Sequence, residues 1–243
     1  MRILSALRSV IGIFVFIPWT VFWSIAMISA TFFRAHRSIE DKIIGRWCRG
    51  VLAIFGVKVK TRGMDLIPSG ACLFLFNHTS FFDIFSMAAV YPHFRFGAKI
   101  ELFSIPFFGK AMERAGVLPI ERARREKVFR VYSQAEERTA RGEKFALAPE
   151  GSRNSEERLL PFKSGPFIFA IDSKMPIVPV VIKGANEVLG KGQFLPNFKR
   201  WGGEISIEFL PAIPTKDFTQ ETRSELQQVT RKAMLPFFSG SPE

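Results

Sequence analysis

The chain has few of the residues on which several common kinds of catalysis depend. Its 243 residues include two cysteines, three histidines and two tyrosines. Cys48 and Cys72 both lie in apolar surroundings, and they have neither the spacing of a zinc site nor the pattern of a disulfide framework. We therefore expect two reduced structural thiols, no bound metal, and a protein that faces the cytosol.

Several motifs that would indicate other functions are missing as well. The sequence has no glycine-rich loop of the nucleotide-binding kinds and no Gly-x-Ser-x-Gly nucleophile elbow. It also has no helix-turn-helix, zinc-finger or single-strand stacking signature. We therefore expect no cofactor, no serine nucleophile and no nucleic-acid partner.

The chain is rich in positive charge and in apolar residues. Lysine and arginine outnumber aspartate and glutamate by 34 to 22, a formal net charge of +12, while 47% of the residues are hydrophobic and 27 are phenylalanine. The charge fits an anionic partner, which among the known classes is nucleic acid, an anionic membrane or a phosphorylated substrate. The apolar content favours a membrane together with a phosphate. The length suits one catalytic unit with an appendage.

A run of 25 uncharged residues lies near the N-terminus, from Ser9 to Phe33. It is long enough to span a bilayer, but basic residues flank both ends and Pro18 interrupts it. We expect a monotopic or re-entrant anchor, with a hairpin that dips into one leaflet. A single spanning helix is the second interpretation. A cleaved signal peptide is the third, since the apolar core is too long and a cleavage site is lacking.

A second helix is predicted to follow the anchor. Ser38 is a capping residue, and two acids, Glu40 and Asp41, follow it, as at a helix start. This helix, which runs to about Phe55, would pair with the anchor helix. We therefore divide the chain into an N-terminal membrane-anchoring two-helix motif over residues 1–55 and a catalytic domain over residues 56–243.

The catalytic domain alternates apolar runs with helical patterns. The predicted strands are 57–61, 71–76, 94–98, 117–120, 144–148, 177–182 and 205–209, and the predicted helices are 80–90, 124–141, 166–174 and 219–235. The alternation predicts an α/β fold with a mixed, largely parallel central sheet flanked by helices. Ligands of such folds bind at the loops beyond the carboxyl ends of the strands.

A histidine and an aspartate follow the predicted strand 71–76. On one regular helix, His78 and Asp83 would point about 140° apart. We therefore expect His78 in the loop before the helix, Thr79 or Ser80 as the helix cap, and the imidazole folded back toward Asp83. A histidine oriented in this way can remove a proton from a hydroxyl at neutral pH. The alternative is a capping or core histidine beside a solvated aspartate.

Further blocks accompany the Phe-Asn-His-Thr-Ser-Phe-Phe-Asp stretch of residues 76–83. They are residues 116–122 (Gly-Val-Leu-Pro-Ile-Glu-Arg), 148–154 (Ala-Pro-Glu-Gly-Ser-Arg-Asn) and 176–180 (Pro-Ile-Val-Pro-Val), with 98–102 and 105–109 as a fifth stretch. With these blocks the chain resembles the glycerophospholipid acyltransferase family, most closely the bacterial 1-acyl-glycerol-3-phosphate acyltransferases, from about residue 57 to 210. It departs from the family pattern at Ala148, where a large apolar residue is common.

The resemblance implies a reaction and a set of partners. The expected reaction is acyl transfer from acyl-carrier protein or acyl-CoA to the sn-2 hydroxyl of lysophosphatidate, giving phosphatidate at the cytosolic face of the cytoplasmic membrane, with the lipid bilayer as a further partner. His78 would act as general base and Asp83 would orient it. Other lysolipids or glycerol-3-phosphate are alternative acceptors. A non-catalytic protein that binds anionic membranes is the alternative from a different class.

The same resemblance implies the residues that bind the substrate. Arg153 and Arg122 would contact phosphate, with Lys99 as a third contributor. For Arg122 a solvated helix start is the alternative. Glu150 would order its loop or contact a glycerol hydroxyl, and Gly151 would allow the backbone to approach closely. The phenylalanine-rich segments 81–82, 103–108 and 167–169 would line an acyl slot or fill the core.

Overall fold

The structure is a computed structural model that describes residues 2–121, 124–154 and 158–238. At its centre is a seven-stranded sheet whose strands are ordered β1-β7-β6-β2-β5-β3-β4. The strands are β1 (Val57–Arg62), β2 (Leu73–Phe76), β3 (Arg95–Lys99), β4 (Leu118–Ile120), β5 (Phe145–Leu147), β6 (Ile177–Lys183) and β7 (Gly203–Phe209). β6 and β7 pair antiparallel, and all other neighbours pair parallel. The prediction of a mixed, largely parallel sheet is confirmed.

The described residues form eight α-helices. They are α1 (Arg2–Phe32), α2 (Arg37–Ile54), α3 (Phe81–Val90), α4 (Phe108–Arg114), α5 (Arg125–Thr139), α6 (Gly165–Asp172), α7 (Ala185–Val188) and α8 (Arg223–Met234). Side chains of α2, α3 and α7 pack on one face of the sheet, and those of α5, α6 and α8 pack on the other.

The central strand β2 shows why the sheet is buried on both faces. Successive side chains of a strand point to opposite sides, so Phe74 and Phe76 join the cluster under α2 and α3, while Leu73 and Leu75 join the cluster under α5 and α6. All four are apolar and buried. A continuous apolar run of this kind is typical of a parallel strand covered by helices on both faces.

The first helix runs unbroken through Pro18, so the expected hairpin within residues 9–33 is wrong. Contacts on both sides of the proline hold the helix against its neighbours. On one side Gly12 packs closely on Phe55, and on the other the indole nitrogen of Trp19 donates to the carbonyl of Trp47 at 3.0 Å. Helix α2 runs antiparallel beside α1. The contacts between them compensate for the backbone hydrogen bond that Pro18 cannot make.

The N-cap of the second helix lies two residues before the predicted capping residue, Ser38. His36 is its N-cap, and the imidazole nitrogen Nδ1 accepts the backbone N–H of Ser38 at 3.3 Å. The two predicted first-turn acids are buried. Asp41 accepts a hydrogen bond of 2.7 Å from Arg95, whose guanidinium also donates to the carbonyl oxygen of Ala115 at 2.7 Å. This pair ties the start of α2 to the sheet.

Candidate active site

Two loops meet at the carboxyl edge of the sheet. Strands β2 and β5 are parallel neighbours, with Leu75 opposite Leu147, and both therefore end at the same edge. The loop that follows β2 carries His78, and the loop that follows β5 carries Glu150. The backbone N–H of Asn154 donates to the carbonyl of His78 at 2.7 Å, so the loops are in direct contact. The sequence blocks 76–83 and 148–154 thus form one site.

His78 and Asp83 form a buried pair in this site. The imidazole nitrogen Nδ1 of His78 lies 2.9 Å from the carboxylate oxygen Oδ2 of Asp83, and the two residues are 6% and 0% exposed. A carboxylate at Nδ1 favours the tautomer with a proton on that nitrogen. The lone pair of Nε2 is then available to accept a proton from a bound hydroxyl.

The local sequence explains this arrangement. Ser80 caps α3 as predicted: its hydroxyl accepts the N–H of Phe82 at 3.2 Å, and the Asp83 carboxylate accepts the N–H of Ser80 at 2.8 Å. The same carboxylate oxygen also accepts the N–H of Thr79 at 2.7 Å. Because the capping box fixes Asp83 against the residues before the helix, His78 meets it from the loop rather than from the helix.

A second pair with the same distance shows that distance alone does not define the site. His93 Nδ1 lies 2.9 Å from an oxygen of Asp41, but the His93 side chain is 57% exposed. It precedes β3, at the amino edge of the sheet. His93 therefore lies at the edge of the sheet opposite to that of His78, where parallel folds do not bind their ligands.

Glu150 holds the two loops together through its carboxylate. One oxygen accepts the backbone N–H of His78 at 3.1 Å, and the other accepts the backbone N–H of Leu160 at 3.2 Å. The residue is buried. Of the two alternatives for Glu150, these contacts fit the ordering of the loop. Burial raises the pKa of its carboxyl to about 7, and the nearby charge of Asp83 raises it too, while the two backbone N–H groups and Arg231 oppose the shift.

Gly151 and Arg153 shape the rest of this loop. Gly151 has a φ of +75°, in the left-handed region where a side chain is disfavoured. Two residues later, the guanidinium carbon of Arg153 lies 4.2 Å from the ring centre of Phe81, the first residue of α3. The ring covers one face of the guanidinium, and the N–H donors that bind anions lie along its edge.

The remaining predicted cations are less closely tied to the pair. Lys99 is the last residue of β3 and lies at the same edge of the sheet, but its ammonium pairs with Glu101 at 3.1 Å and its side chain is 56% exposed. Arg122 lies outside the described residues. Its neighbour Glu121 pairs with Arg124 and Lys127.

Two supporting residues were missed by the sequence reasoning. The amide of Asn77 exchanges two hydrogen bonds with the backbone of Ile182 in β6, which fixes the start of the His78 loop. Arg231 in α8 donates to the carbonyls of Leu159 and Leu160 at 3.1 and 3.0 Å, next to the N–H that binds Glu150. The position of Asn77 next to His78 is a local sign that it supports the site. Arg231 lies 81 positions after Glu150, so the sequence gives no sign that the two residues are linked.

The phenylalanine-rich segments divide between core and surface. Phe82, Phe167 and Phe169 are buried in the core, and Phe81 and Phe107 are exposed. Phe103 lines a cavity of about 360 Å³ between α4, β4 and α5, together with Val117 and Val131. The core alternative therefore holds for Phe82, Phe167 and Phe169.

The exposed side of α1 is mostly apolar. Its exposed large apolar side chains are Ile3, Leu4, Leu7, Val10, Ile11, Phe14, Val15, Ile17, Phe22, Ile25 and Phe32. Its inner side carries the buried Ser5, Ser9 and Ser24 beside the buried Met27. A water-soluble helix would instead expose a polar face. The helix is long and apolar enough to cross a membrane, and only 17% of its most apolar stretch is buried in the protein, so α1 is suited to contact lipid.

Comparisons with known proteins agree on one group of enzymes. Residues 58–183 match the family model described as Acyltransferase. A Caenorhabditis elegans protein, named as a candidate 1-acyl-sn-glycerol-3-phosphate acyltransferase, is 33% identical over 193 residues, which cover 78% of this chain and 66% of that protein. The 1-acyl-sn-glycerol-3-phosphate acyltransferase of Haemophilus influenzae is 28% identical over 200 residues, which cover 81% of this chain and 80% of that one.

The chain is shorter than some relatives. It spans just under two thirds of the nematode protein and 47% of a chloroplast relative from Brassica napus. It also resembles a solved structure, the 1-acyl-sn-glycerophosphate acyltransferase PlsC from Thermotoga maritima, with a TM-score of 0.79 and 22% identity, over 96% of this chain and 95% of the other. At this identity the likeness concerns the fold.

Proposed function

This chain belongs to the Acyltransferase family, and we propose that it transfers an acyl group from a thioester to the sn-2 hydroxyl of 1-acyl-glycerol-3-phosphate, forming phosphatidate. The observation that carries this proposal is the buried His78–Asp83 pair at the carboxyl edge of the sheet. The donor would be acyl-carrier protein or acyl-CoA. The names of the relatives support lysophosphatidate as the acceptor.

The reaction needs one proton acceptor and no covalent enzyme intermediate. The acceptor hydroxyl loses its proton to Nε2 of His78 as its oxygen attacks the thioester carbonyl carbon. Asp83 stabilises the imidazolium that forms. The tetrahedral intermediate then collapses, the C–S bond breaks, and the proton on His78 is available to the departing thiolate. The products are an ester and a thiol.

Arg153 is the proposed phosphate contact. It lies in the loop that holds Glu150 and touches the first residue of α3, so a phosphate bound at its edge would place a glycerol hydroxyl near His78. Arg122 and Lys99 remain proposed contributors, and Lys99 lies at the same edge of the sheet. Glu150 and Gly151 are proposed to shape the loop.

The N-terminal helices are proposed to hold the enzyme on the membrane. Residues 1–55 would form the anchoring motif and residues 56–243 the catalytic domain. The outward apolar face of α1 and its lengthwise packing on the protein support a monotopic placement, on the cytosolic leaflet of the cytoplasmic membrane. A lysolipid could then reach the site from the leaflet, and a soluble donor from the cytosol.

The test of this proposal is the His78→Ala variant, assayed with purified protein against lysolipids and glycerol-3-phosphate with both thioester donors. We expect kcat to fall by a factor on the order of 10² to 10⁴ while lysophosphatidate binding is retained, because a general base acts in the transition state. His93→Ala is the matched control, since His93 makes the same contact with an aspartate elsewhere.

Two results would overturn the proposal. A His78→Ala enzyme that keeps more than about a tenth of wild-type activity would exclude His78 as the base. A wild-type protein that binds anionic vesicles but acylates no acceptor in the panel would support the alternative of a non-catalytic membrane-binding protein. Turnover of glycerol-3-phosphate or another lysolipid, in place of lysophosphatidate, would revise the acceptor.

A further inference from the structure

The loop between α7 and β7 exposes aromatic and basic side chains together. We call residues 190–202 the aromatic loop. Its exposed aromatic and basic side chains include Phe194, Phe198, Lys199, Arg200 and Trp201. Phe194 is 87% exposed, and Phe198 and Trp201 are 47% and 58% exposed. Three large apolar side chains in one short surface loop form a patch of the kind that marks a contact with a partner or a membrane.

The loop is held from beneath by a buried residue. Asn197 donates its side-chain N–H to the carbonyl of Phe55 at 2.7 Å, and its backbone N–H donates to the carbonyl of Val188 at 2.7 Å. Asn197 has a φ of +53°, a conformation that asparagine tolerates better than most residues. The phenylalanines on either side of it are therefore presented from a fixed support.

The aromatic loop packs directly against α1. The hydroxyl of Ser9 donates to the carbonyl of Pro196, and the guanidinium of Arg8 lies 4.8 Å from the ring centre of Trp201. Both contacts fall on the first turns of α1, next in sequence to the exposed Leu7 and Val10. The loop therefore lies beside the part of α1 that exposes apolar side chains.

The charge of the loop favours an anionic surface. Residues 190–202 include Lys191, Lys199 and Arg200 and no acidic residue. Arg200 pairs with Glu187, which precedes the loop, while Lys191 and Lys199 are exposed. Aromatic side chains concentrate at the level of lipid headgroups, and nearby lysines are attracted to anionic lipids.

We propose that the aromatic loop is a second membrane contact, which inserts Phe194, Phe198 and Trp201 among the headgroups of an anionic bilayer beside α1. This inference rests on the proposed membrane placement. A helix lying on a membrane can still roll about its own axis. A second contact to one side of that axis would prevent the roll, and so would set the orientation of the catalytic domain over the leaflet.

The test uses the full-length protein with single cysteines that carry an environment-sensitive fluorophore. Phe194→Cys reports on the loop, Phe14→Cys on the outer face of α1, and Val229→Cys on α8, which packs on the opposite face of the sheet. The native thiols of Cys48 and Cys72 are buried, and burial raises their pKa, to about 12 for Cys72, so both react slowly.

With vesicles of phosphatidylcholine and phosphatidylglycerol, we expect the probe at position 194 to shift to the blue and to brighten several-fold. Lipids that carry a quencher near the headgroup should quench it more than lipids with a quencher deep in the chain. The probe at 229 should not change. With pure phosphatidylcholine the response at 194 should weaken, because the lysines then lack an anionic surface.

Each other pattern of response contradicts a different claim. Lipid quenching at position 14 without any at 194 would overturn the aromatic-loop proposal and leave the membrane placement intact. Quenching at neither position would overturn both. A blue shift at 194 that needs high protein concentration and no vesicles would replace the bilayer by a second copy of the chain.

A matched pair of double substitutions tests the consequence for binding. Phe194→Ser with Phe198→Ser should weaken binding to the anionic vesicles by about tenfold or more, with activity on a short-chain, monomeric acceptor unchanged. Lys191→Gln with Lys199→Gln should remove most of the dependence on phosphatidylglycerol and on salt. Unchanged vesicle affinity in both variants, with probe 194 outside the lipid, would overturn the proposal.

Discussion

At the scale of single residues, the two site carboxylates lie in contrasting surroundings. Asp83 accepts two backbone N–H groups on the oxygen that also contacts His78, whereas Glu150 accepts one N–H on each oxygen, and both residues are buried. The bonds to Asp83 hold its carboxylate in place against the imidazole. For Glu150, burial raises the pKa of the carboxyl.

The raised pKa of Glu150 predicts a pH dependence of stability. An unfolded glutamate loses its proton near pH 4.5, while folded Glu150 keeps it until about pH 7. The folded state therefore binds more protons in this window, and the free energy of unfolding falls as pH rises through it, by about 3 kcal/mol at most.

The measurement compares melting temperatures of the wild type and Glu150→Gln at pH 5 to 8. The variant loses a hydrogen bond, because its amide N–H₂ faces a backbone N–H, and should be less stable at pH 5. Since other titrating groups are shared, the difference between the two proteins should shrink as pH rises. Parallel profiles would mean that Glu150 does not titrate in this range.

Substitution of Arg153 should impair use of the acceptor more than use of the donor. Its loss removes a charge-assisted contact worth roughly 1.5 to 3 kcal/mol. We expect Arg153→Ala to lower kcat/KM for lysophosphatidate by at least about tenfold while KM for the thioester donor barely moves. Arg153→Lys should restore part of the loss, since lysine keeps the charge but not the planar fork. Equal losses for both substrates would make Arg153 a structural residue.

At the scale of elements, α8 acts on the site from a distance. Arg231 holds the carbonyls of Leu159 and Leu160, and Leu160 holds Glu150, which in turn holds the backbone of His78. The ring of Phe162 lies 5.8 Å from the same guanidinium. Helix α8 is thereby connected to the His78 loop through three successive hydrogen bonds.

We expect Arg231→Ala to lower the melting temperature and to reduce kcat by about tenfold, because the segment that fixes Glu150 loosens. Removal of this charge should also move the Glu150-dependent change in stability to higher pH, since Arg231 lowers the pKa of Glu150. Lys232→Ala removes the same charge from an exposed neighbour and should change none of these quantities. A Lys232→Ala enzyme with the same defects would show that net charge is responsible.

At the scale of the whole molecule, α1 packs along the protein rather than away from it. Ser9 contacts the aromatic loop near one end of the helix, and Met27 packs with Ile43 and Ala111 near the other. A helix with the protein along one side cannot be surrounded by lipid on all sides. Both ends of α1 should therefore lie on the same side of the membrane.

Cysteines at Ile3 and Ser38 test this placement. In right-side-out membrane vesicles neither should react with an impermeant maleimide, and in inside-out vesicles both should, as should a control cysteine at Glu225 in the catalytic domain. Reaction of the position 3 cysteine alone in right-side-out vesicles would show a spanning helix. The assignment of His78 and Asp83 would survive that result.

Local patterns in the sequence are enough to predict most of the elements and the contact between His78 and Asp83. The seven predicted strands all occur, within two residues at each end, since the alternation of apolar runs and helical patterns is a nearest-neighbour property. The position of His78 before a capped helix followed from spacing within eight residues. The short α4 and α7 were not predicted because they are too brief for a periodic signal.

The tertiary structure alone decided which distant groups meet. Two acids predicted in the first turn of α2 are buried partners of Arg95, and Arg231 reaches the Glu150 loop from α8. The hairpin expected within residues 9–33 is instead one continuous helix, since packing against α2 outweighs the local effect of Pro18. Such contacts depend on strand order and helix packing, which no local pattern in one sequence specifies, because the groups involved become neighbours only when the sheet has formed.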